Sequence, residues 1–252
     1  MAAQQMVLDN TANNLANLNT TGFKKSQIEF QDLLYTTLRA PGAISAQGQQ
    51  LPTGIQIGNG VRVAGTTRLF TTGALENTGN QLDMAIEGDG FFQITNPGSG
   101  LRYTRDGAFR VNSTGQLVTA DGYFVSPAIT FPTDWLSASI GTDGTISVTT
   151  AGAPTTATQV GRLTIARFAN PAGLSGEGRN LFTETPASGT PQPFTPGQNG
   201  TGILRGGFLE HANVDVVQEM VSLIQAQRAY EFNTKAIKVA DEMLSASTEL
   251  VR

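Results

Sequence analysis

The chain has 252 residues and a net charge of −4 from 16 Lys/Arg and 20 Asp/Glu, with no cysteine and a single histidine, His211. Thiol catalysis, disulfides and Cys-ligated metals are excluded, and His-based metal sites or Ser-His chemistry lack their parts. Without a Lys/Arg block there is no electrostatic footprint for nucleic acid, and no apolar run approaches the ~20 residues of a membrane span.

The N-terminal MAAQQMVLDN has neither a basic n-region nor an apolar h-region, so no cleaved signal peptide is expected. Residues 1–19 read as a helix with Met1, Leu8, Ala12 and Leu15 on one face and Asn10, Asn13, Asn14 and Asn17 on the other. Asparagine is a poor helix former. Either the helix frays into the Asn19-Thr20-Thr21-Gly22 stop, or the four amides form a ladder that hydrogen-bonds between subunits. The second reading is preferred because the far end of the chain demands partners.

Between Phe30 and Phe70, Leu33, Leu34 and Leu38 continue an apolar pattern to Arg39, which Pro41-Gly42 breaks. Ser45–Pro52 is polar, and Ile55, Ile57, Val61 and Val63 read as extended runs around a Gly58-Asn59-Gly60 turn. Residues 71–208 alternate apolar and polar in short runs such as Phe91-Phe92-Gln93-Ile94 and Thr145-Ile146-Ser147-Val148. Asp89-Gly90, Asp106-Gly107, Asp121-Gly122 and Asp143-Gly144 predict tight turns. Their loops lack the acidic density of an EF-hand, so turns are preferred to calcium sites. Phe131-Pro132 and Trp135 predict a corner packed under the sheet, and Thr149–Gln159 and Thr183–Gly202 predict loops. The best catalytic candidates, Asp83, Glu87 and Asp89, are explained by the alternating strand that carries them; no enzyme activity and no cofactor are expected.

Gly206-Gly207 predicts a hinge, Asn213 an N-cap and Asp215 a first-turn acid for the last helix. From Asn213 to Arg252 there is no Gly or Pro. Val216, Leu223, Tyr230, Ile237, Leu244 and Val251 recur every seventh position, and Ala226, Ala229, Ala236 and Ala240 lie on the adjoining strip. Val217, Met220, Val221 and Ile224 make the first turns apolar nearly all round. A helix of ~55 Å at about 1.5 Å per residue cannot bury two faces inside one small domain, so this helix predicts assembly.

NNLANLNTTGFKKS (Asn13–Ser26) and GFLEHANVDVVQEMVSLIQAQRAYEFNTKAIKVADEM (Gly207–Met243) resemble the N- and C-terminal signatures of the flagellar rod and hook axial proteins. EFQDLLYTTLRAPGA (Glu29–Ala43), LPTGIQIGNGVRV (Leu51–Val63) and YTRDGAFRVNSTGQLVTADGY (Tyr103–Tyr123) resemble the distal-rod members of that family in particular. The resemblance implies an α+β, mainly β chain. A discontinuous terminal helical coiled-coil domain (1–29 and 209–252) would enclose an extended linker arm (30–70) and an inserted all-β domain (71–208). It implies a subunit that self-assembles into a rigid helical tube carrying torque from motor to hook and enclosing an export channel. The location implied is the periplasmic rod of the basal body, reached through the flagellar type III system. Implied partners are its own copies, the proximal rod, the hook protein and the surrounding rings, with no nucleic acid and no membrane insertion. The expected interface comprises Leu8, Asn10, Asn13, Asn14, Leu15, Asn17, Val216, Met220, Leu223, Ile224, Ala226, Tyr230, Ile237, Ala240 and Leu244. Leu38, Arg39, Pro41, Leu51 and Pro52 mark a segment that hook proteins lack and that the family associates with stiffness. A hook-type axial protein is the nearest rival, and a β-rich surface adhesin with oligomerising terminal helices is the alternative from another class.

Overall fold

The computed structural model describes residues 2–41, 53–96, 98 and 100–250, except for the side chains of residues 249 and 250. It is mainly β, with helix α1 (Ala2–Ala16) near one end and helix α2 (Val216–Leu250) near the other. Asn14–Lys25 and Arg68–Val216 form one compact unit; the rest of both helices and Ser26–Thr67 form a second.

Helix α1 ends earlier than the 1–19 reading, in turns closed by Leu18 N–H to Leu15 O and Thr20 N–H to Asn17 O. Ser26 then begins a strand, so the helix occupies only part of the 1–29 segment. Strand Ser26–Asp32 pairs with Val61–Arg68, and Thr36–Arg39 pairs antiparallel with Ile55–Ile57. The Gly58-Asn59-Gly60 run therefore is not a hairpin turn. It joins two successive strands of a long ribbon, where Asn59 Nδ2 donates to Leu34 O at 2.7 Å and Leu33 N–H to Gly60 O at 3.0 Å. Most side chains of the ribbon are exposed, including Leu34, Tyr35, Leu38, Ile55 and Ile57. Leu38 and Arg39 belong to a strand and Pro41 follows it, whereas Leu51 and Pro52 lie outside the described residues.

The first unit is built on a nine-stranded antiparallel sheet centred on Phe91–Asn96. This strand pairs with Gly100–Thr104, Phe124–Ser126 and Ile165–Arg167. Neighbouring residues on it face opposite sides, as the period of two requires. Phe92 enters a cluster with Met84, Ile86, Phe109, Ile129, Ile146 and Leu163, while Phe91 enters a second with Tyr103, Phe168, Leu174 and Phe182. A three-stranded sheet (Trp135–Ile140, Thr145–Thr150, Ala153–Arg162) supplies Ile146 and Val148 to the first cluster. The corner is where the sequence placed it: Phe131 is buried and Trp135 packs on it, ring centroids 5.5 Å apart.

Three further expectations from the sequence give way to the structure. Thr149–Gln159 is mostly strand, because its threonines are β-branched and suit an exposed hairpin as well as a loop. Asp121-Gly122 and Asp143-Gly144 do make turns, closed by Gly122 N–H to Thr119 O and Gly144 N–H to Gly141 O. Asp106-Gly107 does not: Gly107 O accepts from Met84 N–H, and a Cβ at 107 would fall 1.5 Å from Met84 O. That glycine serves close approach instead of chain reversal. Gly206-Gly207 is no free hinge either. Gly206 pairs with Met84, and Gly207 donates its N–H to Asp83 O at 2.7 Å.

Candidate assembly surface and the junction beside it

The segment Asn14–Lys25 and the segment leading into α2 are bonded to the same edge of the β body. Gly22 lets the backbone turn against that edge: its φ is +67, and a Cβ there would fall only 2.6 Å from the Arg105 carbonyl carbon. Its N–H donates to Glu210 O at 2.8 Å, and Thr21 Oγ1 donates to Asp106 Oδ1 at 2.9 Å. Asn180 Nδ2 adds a bond to Thr21 O.

Below this turn lies a buried charge cluster. Lys24 Nζ is 2.6 Å from Glu210 Oε1 and also donates to Thr71 O at 2.6 Å. Glu210 Oε1 accepts Gly73 N–H at 2.9 Å, and Glu210 Oε2 lies 3.2 Å from Arg105 Nε. The Lys24 and Glu210 side chains are fully enclosed and Arg105 nearly so. Arg105 also donates to Gly90 O and Gly88 O. With one anion between two cations, burial and then the Arg105 charge pull the Lys24 ammonium down to about 8, against the opposing pull of Glu210. Burial likewise holds Arg105 below the ordinary guanidinium range.

Asn213 completes the junction in a way that corrects its N-cap reading. Helix α2 begins only at Val216, and the Asn213 amide spans other segments. Its Oδ1 accepts Lys25 N–H at 2.8 Å while its Nδ2 donates to Leu69 O at 2.7 Å.

The expected interface residues fall into two groups. On α1 and the turn after it, Asn14 is buried, Leu8, Asn10, Leu15 and Asn17 are half-buried, and Asn13 is exposed. Asn10 exchanges hydrogen bonds with Ser26, and Asn17 Oδ1 accepts from Thr20 Oγ1. On α2, Ala226 is buried and Leu223 half-buried, while Val216, Met220, Ile224, Tyr230, Ile237, Ala240 and Leu244 are exposed. The heptad reading missed a second exposed apolar strip, Phe232, Val239 and Met243, at 70%, 51% and 64% exposure. The i, i+7, i+11 spacing of these three was its signal in the sequence.

Asp83, Glu87 and Asp89 do not converge. Asp83 accepts from Thr78 Oγ1 and Asn80 Nδ2, Glu87 pairs with Arg205 at 2.6 Å, and the Asp89 carbonyl accepts Gly202 N–H. Among the described residues no group of three His, Cys, Asp or Glu could hold a metal ion.

Comparison with known proteins matches three family models to successive parts of the chain. Residues 1–24 match the flagella basal body rod protein, 85–148 the D1 domain of the flagellar hook protein FlgE/F/G, and 205–250 the C-terminal region of the flagellar basal body rod FlgEFG proteins. The flagellar basal-body rod protein FlgG of Borreliella burgdorferi is 46% identical over all of this chain and 96% of its own length. Those of Buchnera aphidicola from Schizaphis graminum and of Caulobacter vibrioides are each 45% identical, over 98% and 99% of this chain and 95% of their own lengths. The flagellar basal-body rod protein FlgF of Caulobacter vibrioides is 36% identical over 96% of this chain and 90% of its own. The chain belongs to the flagellar basal-body rod protein family. It is a structural subunit of the rod in the flagellar basal body, not an enzyme.

Proposed function

We propose that this rod subunit assembles with its own copies into a rigid helical tube that carries torque from motor to hook and encloses an export channel. Its terminal helices pair into an inner coiled-coil layer, with the β domain as an insertion outside it. The observation that carries this reading is the apolar surface left on α2, where Phe232, Ile237, Val239, Met243 and Leu244 are each at least half exposed. Removing such side chains from water is favourable by about 25 cal/mol per Å², and neighbouring copies offer the repeated apolar partner they need. The tube would join proximal rod and hook components, pass through the basal-body rings and occupy the periplasmic part of the basal body. Delivery would be through the flagellar type III channel. The exposed ribbon bearing Leu38, Arg39 and Pro41 would bridge neighbouring subunits and stiffen the tube.

Light scattering on serial dilutions of the full chain tests this. A tube-forming subunit shows a threshold concentration above which scattering rises, and Ile237→Ser with Leu244→Ser raises that threshold at least about tenfold. Scattering proportional to concentration throughout, unchanged by the substitutions, would overturn it.

A further inference from the structure

We propose that the buried Lys24–Glu210–Arg105 cluster is a latch that makes docking of Asn14–Lys25 and docking of Phe208–Val214 onto the β body one cooperative event. Such a latch belongs to the isolated subunit and does not depend on the tube.

The connectivity singles out Glu210. Strand Phe208–Glu210 pairs with Leu75–Asn77, and His211 N–H donates to Ala74 O at 2.9 Å, so the C-terminal segment has its own attachment to the body. The N-terminal segment is held from the far side by Asp106 and Asn180 and by Leu69 N–H donating to Lys25 O at 3.0 Å. Between the two runs the Glu210 carboxylate, which accepts from Lys24 on one side and faces Arg105 on the other. If Phe208–Val214 undocks, two buried cations face each other with Glu210 gone, a far worse state than a satisfied pair. If Asn14–Lys25 undocks, Glu210 loses Lys24 and the Gly22 amide, and Asn213 loses Lys25 N–H. A coupling between two docking equilibria is reciprocal, so each segment stabilises the other by the same factor. The last turn of α1 and the first residue of α2 lie in this unit, so the latch fixes both helix roots together.

Hydrogen exchange on the full-length monomer at low concentration tests this. The amide of Leu69 reports the N-terminal segment and that of His211 the C-terminal one. Thr21→Val removes only the hydroxyl bond to Asp106 on the side away from the C-terminal segment. The latch predicts that exchange rises at Leu69 and at His211 by comparable factors, while Ile146 in the core is unchanged. Glu210→Gln is expected to raise both by about tenfold or more. If Glu210→Gln unfolds the body, Thr21→Val alone decides. A rise at Leu69 with no change at His211 means that the segments dock independently, and the proposal fails.

Discussion

The side-chain amide of Asn213 holds Lys25 N–H at 2.8 Å with its oxygen and Leu69 O at 2.7 Å with its nitrogen, joining segments 188 and 144 positions away in sequence. Neither partner belongs to the helix that follows. Replacing Asn213 with Ala leaves a half-buried donor and acceptor unmatched, at a cost of about 1–3 kcal/mol. Denaturant unfolding of the monomer should show a lower midpoint with an unchanged slope. An N-cap role would instead lower α2 helicity and leave the β transition where it was.

The Lys24 ammonium gives the fold a specific pH response. Its pKa is 10.5 in a free side chain and about 8 in the folded protein. Between those values the unfolded state binds the proton and the folded state does not, so this group makes stability rise with pH from about 8 to about 10.5 and adds no slope below or above. Lys24→Met removes that rise. The difference in unfolding free energy between wild type and variant, followed from pH 7 to 11, should move in favour of wild type across this window. A flat difference contradicts the buried, net-cationic cluster.

A fragment of residues 68–216 should unfold cooperatively, because both apolar clusters lie within it. Shortening it to 71–208 removes Glu210 and leaves Arg105 buried without the carboxylate beside its Nε. Breaking a buried pair in this way costs about 3–5 kcal/mol. Calorimetry on the two fragments should show the shorter one melting well below the longer; equal melting temperatures would contradict the role given to Glu210.

How legible this was in the sequence depended on how local the cause was. Alternation along Phe91-Phe92-Gln93-Ile94 marked a strand, since a period of two is a property of one strand alone, whereas burial of both its faces came from the elements packed on each side. The long α2 helix followed from the absence of Gly and Pro. Asp106-Gly107 misled because a dipeptide signal cannot register that Met84 O occupies the space where a Cβ would sit. Asn213 misled for a similar reason, as its strongest partners are two strand-like segments and not the helix after it. Lys24 and Arg105 had no sequence signal at all. A lysine in a turn and an arginine after a strand read as solvated charges until the fold brings Glu210, 186 positions from Lys24, between them.

The second apolar strip on α2 makes a separate prediction. Phe232 is 70% exposed in the single chain, so Phe232→Ser should change monomer stability by no more than about 0.5 kcal/mol. The same substitution should raise the threshold concentration for assembly severalfold. A large loss of monomer stability would mean that Phe232 packs within its own subunit.

The ribbon invites a mechanical test. Deleting residues 38–52 removes one strand end of the Thr36–Arg39 and Ile55–Ile57 pair. As a mere spacer, the segment could be shortened for about 0.6 kcal/mol per halving of loop length, and tubes would stay straight. The bridging role predicts that tubes still form but bend, with a shorter persistence length in electron micrographs.

The central claim, that terminal helices build the inside of a tube, is tested most directly by cryo-electron microscopy of the concentrated full-length protein. The account predicts straight hollow tubes whose innermost layer is α-helical density, with β density at larger radius. Closed discrete oligomers, or tubes with the helices on the outer surface, would contradict it.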